Sequence, residues 1–149
     1  MASKSDNKEA IKKWNIHCAS VQQQTTVNNG ESKHVQLKRI ERARIDYAFF
    51  VDYYFPHFAK CPSAKFHIKA ANEIKKNKNY KSVFKWARAH AKSTHLDIII
   101  PLWLKCQKQR EINVMVLVGK SQDNANTLLA DIQAELQFNQ RYIKDYGQQ

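Results

Sequence analysis

Hydrophobic and polar positions change rhythm several times along the chain. Up to about Val35 the sequence is polar, and Gln22-Gln-Gln-Thr-Thr-Val-Asn-Asn-Gly30 holds no sustained apolar period, which predicts a loosely ordered arm with a short helix around 11–14. From Lys38 the pattern tightens. Ile40, Ala43, Tyr47, Phe50, Val51 and Tyr54 recur at helical spacing until Pro56, as in an amphipathic helix. This aromatic stripe suits core packing better than base stacking. A second helical pattern starts near Pro62-Ser63, runs through Phe66, Ala70, Ala71 and Ile74, and breaks at Asn77-Lys-Asn-Tyr80.

The next segment reads differently. Ser82-Val-Phe-Lys-Trp86-Ala is short and rich in β-branched and aromatic residues, which predicts a buried strand. Residues 94–106 predict a helix with Leu96, Ile99, Ile100, Trp103 and Leu104 apolar, kinked or partly unwound at Pro101. Ile112-Asn-Val-Met-Val-Leu-Val118 is almost continuously apolar, as a parallel strand covered on both faces is. Gly119-Lys-Ser-Gln-Asp-Asn-Ala then turns into a helix with Ala125, Leu128, Leu129, Ile132 and Leu136 on one face. Asp123 lies near its positive end and Lys144 towards the far end. Strand, helix, strand, helix implies a right-handed crossover and a parallel α/β sheet. The expected organisation is a polar arm over 1–37, a helical lead-in over 38–80 and an α/β core over 81–149.

Composition narrows the class. At 149 residues without internal repeats the chain matches one ordinary domain, and 43% apolar with 26% charged residues excludes wholesale disorder. The longest uncharged apolar run, 98–104, contains Pro101 and is too short to cross a bilayer. Met1-Ala-Ser-Lys-Ser-Asp-Asn-Lys-Glu has no apolar stretch behind its charges, so no secretory signal is expected and the protein is placed in the cytoplasm. Cys18, Cys61 and Cys106 have no Cys-x-x-Cys spacing, which argues against a zinc ribbon or a disulfide scaffold.

Charge adds a partner class. The chain has 25 Lys+Arg against 13 Asp+Glu, a formal net charge of +12. Lys60, Lys65, Lys69, Lys75, Lys76, Lys78, Lys81, Lys85, Arg88 and Lys92 crowd one stretch in which Glu73 is the lone acid. Such a stretch is either a solvated lysine-rich face or a surface for a polyanion.

Candidate chemistry concentrates at Trp86-Ala-Arg-Ala-His-Ala-Lys92-Ser93-Thr94. A phosphate loop of the form Gly-x-x-x-x-Gly-Lys-[Ser/Thr] works because backbone amides wrap the phosphates, lysine neutralises the β/γ oxygens and the next hydroxyl ligates Mg²⁺. Lys92-Ser93-Thr94 fits this pattern, whereas Trp86 and Ala91 stand at its two glycine positions. A lysine at a helix start is unfavourably placed against the helix dipole unless an anion is held there. The other reading has Lys92 reaching into solvent with nothing bound, and Arg88 as an ordinary surface arginine.

These residues carry a resemblance. Arg88-Ala-His-Ala-Lys-Ser-Thr94, Pro101-Leu-Trp103 and Val118-Gly-Lys-Ser-Gln-Asp-Asn-Ala125 look like the large terminase subunit of tailed phages and prophages, the ATP-driven DNA-packaging motor. That family tolerates Ala before the loop lysine and carries an Arg four residues earlier. Asp46-Tyr-Ala-Phe-Phe-Val-Asp-Tyr-Tyr-Phe-Pro56 and Phe66-His67 also resemble its lead-in, and the likeness covers about 39–147. The implied fold is an incomplete P-loop NTPase-type parallel sheet with a helical lead-in. The implied cofactors are ATP and Mg²⁺. By resemblance Lys92 holds the β/γ phosphates, Arg88 answers the γ-phosphate, and Ser93 binds the metal. The amides of Ala89, His90, Ala91, Lys92 and Ser93 form the cradle, Thr94 meets the α-phosphate and His67 faces the adenine.

The acidic half of such a motor is missing. No apolar run ends in Asp-Glu to grip Mg²⁺ and activate water, since Asp131 continues into an amphipathic helix and Asp97 precedes its apolar run. No acidic cluster for the family's nuclease follows either. The resemblance implies double-stranded DNA, the small terminase subunit and the capsid portal as partners, a homo-oligomeric ring, and transient residence at the procapsid. The competing reading is a small basic nucleic-acid-binding protein without catalysis, and a third is an inert prophage remnant.

Overall fold

The computed structural model of the protein describes residues 4–108 and 114–148. It is built from α1 (Lys4–Gln24), α2 (Lys33–Ile45), α3 (Tyr47–Tyr54), α4 (Lys65–Lys76), α5, α6 (Gln122–Phe138) and α7 (Gln140–Tyr146). Helix α5 is composite: a π-helical stretch over Thr94–Ile99 runs straight into α-helix over Ile100–Lys105. The wide turns immediately precede Pro101, whose ring and missing N–H disturb the preceding turn of a regular α-helix.

The parallel α/β sheet is overturned. Among the described residues no strand pairs with another, so the P-loop NTPase-type sheet is not formed. Val83 is 84% exposed, and Val114, Val116 and Val118 are 81%, 78% and 88% exposed. β-branched residues favour strands because they fit a half-covered pleated surface, and that surface requires a neighbouring strand. Here helices supply the burial instead, and the valines of both runs stay exposed while Leu117, alone among the described residues of the second run, packs against the core. Residues 112 and 113 of the second expected strand lie outside the described residues.

The core forms where α3 meets α5, α6 and α7. Tyr47, Phe50, Val51, Tyr54 and Phe55 pack with Ile98, Ile99, Ile100, Trp103, Ile132 and Tyr142, all buried. Trp103 is fully buried against the edge of Tyr47, ring centroids 5.0 Å apart, and its Nε1–H donates to the Ala43 carbonyl at 2.8 Å. That bond satisfies the indole's single donor, without which its burial would cost about 1–3 kcal/mol.

The long aromatic helix expected over 38–56 is two helices. Asp46 separates them: its backbone N–H ends α2 on the Arg42 carbonyl, and its side chain caps α3 by accepting from Phe49 N at 3.0 Å. The arm differs too, because α1 is long. Trp14, Cys18 and Val21 form a stripe that packs on Ala134 and Phe138 of α6, so tertiary contact orders a segment of weak amphipathicity. The Thr25 hydroxyl accepts from Gln140 N, Arg141 donates to the Thr26 carbonyl, and Lys144 to that of Asn28.

Two buried carboxylates tie the bundle. Asp145 accepts from Arg39 Nε and Nη2, from the Tyr54 hydroxyl and from Gln36, joining α2, α3 and α7. Burial alone would raise its pKa; the Arg39 guanidinium and the Tyr54 hydroxyl outweigh it and hold the carboxyl below the ordinary aspartate range. Glu135, fully buried, accepts from His57 Nε2 at 2.6 Å and from Asn139 Nδ2 at 2.8 Å. Helix α6 starts at a tight turn, where a Cβ on Gly119 would stand 2.7 Å from Ala125 N. Only glycine fits there.

Candidate functional site

The segment between the 82–87 stretch and α5 forms a concavity of about 540 Å³ lined by Trp86, Arg88, Ala89, His90, Ala91 and Lys92 together with Ala87, Ser93 and Thr94. One continuous loop supplies every wall. Two of its residues have left-handed backbone, Ala89 at φ 65° and Ala91 at φ 48°, and they are the non-glycine residues of positive φ among those described. Each such alanine costs about 1–2 kcal/mol relative to an ordinary conformation. Lys92 and Ser93 directly after them are helical. A left-handed residue followed by a right-handed one turns successive amides to the same side, the geometry that makes an anion-binding nest.

The charged and polar side chains sit around this loop. Arg88, His90, Lys92 and Ser93 are exposed and Thr94 is half-buried. Ser93 stands four residues before Asp97, one helical turn away. Burial raises the Asp97 carboxyl above the ordinary range, and the Ser93 hydroxyl and nearby Lys92 charge oppose that rise only in part. In the sequence Asp97 precedes its apolar run, unlike the acid of a catalytic strand end, and its i to i+4 spacing from Ser93 is the signal that joins the two. Asp131 lies elsewhere, 3.6 Å from His17 on α1.

His67 is placed beneath the loop. It is 7% exposed, with its ring sandwiched between His95, at 3.8 Å and nearly parallel, and the edge contacts of Phe66 and Trp86. Its Nδ1 accepts from Ala64 N at 3.1 Å and its Nε2 lies 2.9 Å from the His90 carbonyl. Both nitrogens are thus engaged with backbone, leaving no polar atom of His67 to face an adenine. His95 is also buried, and its Nδ1 meets the Tyr47 hydroxyl at 2.8 Å. Burial, aided by the neighbouring His67, pushes the His95 pKa down to about 4.

A second concavity, about 620 Å³, is lined by Glu41, Arg44, Ile45, Lys75, Lys76, Lys78, Gln107 and Lys108. Despite its charge it is the weaker candidate for a ligand. It lies where α2, α4 and α5 all end, so partial negative charges of three helix termini converge on it. Lys75 donates to the Arg44 carbonyl at 2.6 Å and Arg44 to that of Cys106 at 3.0 Å, while Lys108 stands 3.8 Å from Glu41. These cations answer the helix ends.

Among the described residues no group of three or more His, Cys, Asp or Glu side chains is arranged to hold a metal ion, and no helix is long and apolar enough to cross a membrane. No protein family, no curated protein and no solved structure matches this chain.

Proposed function

We propose that the loop over 86–94 binds the triphosphate of ATP, and that the chain acts as the ATP-binding amino-terminal part of a large-terminase-like DNA-packaging motor. The observation that carries this reading is the paired left-handed alanines, Ala89 and Ala91, leading into a helix that opens with Lys92 and Ser93. Strained backbone in a solvent-facing loop does nothing for the core, whereas it converges amides on a point where a lysine also stands. The alanines adopt the backbone that glycine would otherwise be needed for.

The donor set fits a nucleotide with its Mg²⁺. Lys92 would neutralise the β/γ phosphates, Arg88 would reach the γ-phosphate and Thr94 the α-phosphate, with the amides of Ala89, Ala91, Lys92 and Ser93 around them; the expected His90 amide is instead donated to the Ala87 carbonyl. The Ser93 hydroxyl would contact the metal, with Asp97 behind it to orient that hydroxyl. A bound Mg²⁺ supplies charge neutralisation of the phosphates. Among the described residues no carboxylate lines the groove to activate water, so binding should far exceed turnover.

The test is titration of the chain with a fluorescent ATP analogue and Mg²⁺. Binding should be weakened at least about tenfold by Lys92→Ala, the loss expected for one charge-assisted contact. Equal binding by parent and Lys92→Ala would remove the reading. Phosphate release that vanishes in Lys92→Ala would show instead that the chain hydrolyses ATP.

A second reading is favoured by a separate observation. Of the ten cations between Lys60 and Lys92 all but Lys75 are exposed, as contact with a phosphate backbone requires. Double-stranded DNA is the partner proposed for them, with the small terminase subunit, the portal, a ring of like subunits and the host cytoplasm following from the motor reading. DNA binding that falls steeply with salt yet ignores ATP would favour a simple nucleic-acid-binding protein.

A further inference from the structure

Resting on the phosphate reading above, we infer that His67 is a positioning residue, a clasp that fixes the 90–91 peptide plane so that the Ala91 amide faces the groove. The tautomer follows from the partners. Ala64 N–H can only donate, so His67 Nδ1 accepts; the His90 carbonyl can only accept, so Nε2 carries the hydrogen and donates to it. A trans peptide holds its C=O and the next N–H in opposite directions. With no cis bond here, drawing the His90 carbonyl down to His67 turns the Ala91 N–H up, away from the protein interior.

The clasp is rigid because His67 is. Its ring is stacked on His95, 3.8 Å between centroids and 20° between planes, and His95 is itself held by Tyr47 of the core helix α3. The imidazole therefore links the most deeply buried part of the molecule to the tip of an exposed loop. It also explains how two alanines persist at positive φ: the hydrogen bond at His90, between Ala89 and Ala91, holds the intervening peptide against relaxation.

Two substitutions separate the two ends of the ring. Asn at 67 keeps an acceptor where Nδ1 stands, so helix α4 stays capped, but cannot reach His90. Gln keeps a donor where Nε2 stands but loses the cap. In the full 149-residue chain, His67→Asn should weaken binding of the fluorescent ATP analogue about tenfold and His67→Gln should bind within about threefold of the parent, both at lowered thermal midpoints because either change removes the buried ring stacked on His95. Equal binding by the two variants, or parent-like binding by His67→Asn, overturns the clasp.

The clasp is also read without nucleotide. Nitrogen-15 NMR of the ligand-free chain should show a single His67 tautomer, protonated at Nε2, and an Ala91 amide resonance that moves in His67→Asn but not in His67→Gln. Averaged tautomers or an unmoved amide refute the inference. If the parent chain fails to bind nucleotide in a Lys92-dependent way, the phosphate reading falls alone, and these resonances still decide the clasp.

Discussion

The imidazoles of His67 and His95 lie face to face, 3.8 Å between centroids, with His95 bonded to the Tyr47 hydroxyl and His67 to the loop carbonyl of His90. One stacked pair thus joins core and loop, and its charge state matters to both. Burial first, and the adjacent His67 second, depress His95 to about 4 from an ordinary value near 6.5. The unfolded chain then takes up this proton before the folded one does. Stability is fully present above about pH 6.5 and is lost as pH falls towards 4, by roughly 3 kcal/mol. Thermal melts between pH 7.5 and 4 should show this slope in the parent. His95→Asn, which keeps an acceptor for Tyr47, should flatten it; an unchanged slope would mean that other groups set it.

The left-handed alanines make an opposite pair of predictions. Ala91→Gly removes a strained conformation but adds freedom to the unfolded chain, for a net gain of up to about 0.5 kcal/mol and nucleotide binding at least as tight. Ala91→Val places a β-branched side chain at positive φ and should lower the urea midpoint and open the nest. Tighter binding by the valine variant would contradict the φ of 48° at Ala91.

The thiols should react unequally. Cys61 is exposed, while Cys18 and Cys106 are buried. Burial, partly offset by Tyr142, pushes the Cys106 thiol up to about 12, and burial also raises Cys18. A colorimetric thiol reagent at pH 8 should find one fast group in the native chain and all three in denaturant; two or more fast groups would place Cys18 or Cys106 at the surface.

Glu135 is the carboxylate whose removal should hurt most. It accepts from His57 and Asn139 with no solvent contact, so Glu135→Ala leaves His57 Nε2 buried without a partner and Asn139 with only its bond to the Tyr54 carbonyl, and should cost about 3–5 kcal/mol. Glu135→Gln keeps one acceptor and should cost less than half as much. Urea denaturation of the two variants measures the difference, and equal losses would show that the pocket only needs volume.

Helices were legible in the sequence where one face is apolar enough to bind a neighbour, as at 47–54 and along α6. The break at Asp46 was not, because a helical stripe looks the same on both sides of a capping residue that serves two helices. Of helix α1 only a short piece around 11–14 was legible, since Trp14, Cys18 and Val21 are three residues among many polar ones, and their partners Ala134 and Phe138 are far away in sequence. The sheet was the large error: valine-rich runs advertise strand preference, but a ladder needs a second strand that local pattern cannot supply. At the loop, Lys92, Ser93 and Arg88 could be picked out by spacing. The His67 contact could not, as nothing in the order of residues joins position 67 to the carbonyl of 90.

The stitching of Thr25, Thr26 and Asn28 to Gln140, Arg141 and Lys144 has a bearing on the order in which the chain assembles. During synthesis the linker after α1 leaves the ribosome long before α7 exists, so it must wait for more than a hundred further residues before those bonds can close. The linker after α1 is consequently secured late, and clipping the segment from 140 onward would unfasten that linker while leaving α1 itself seated on α6.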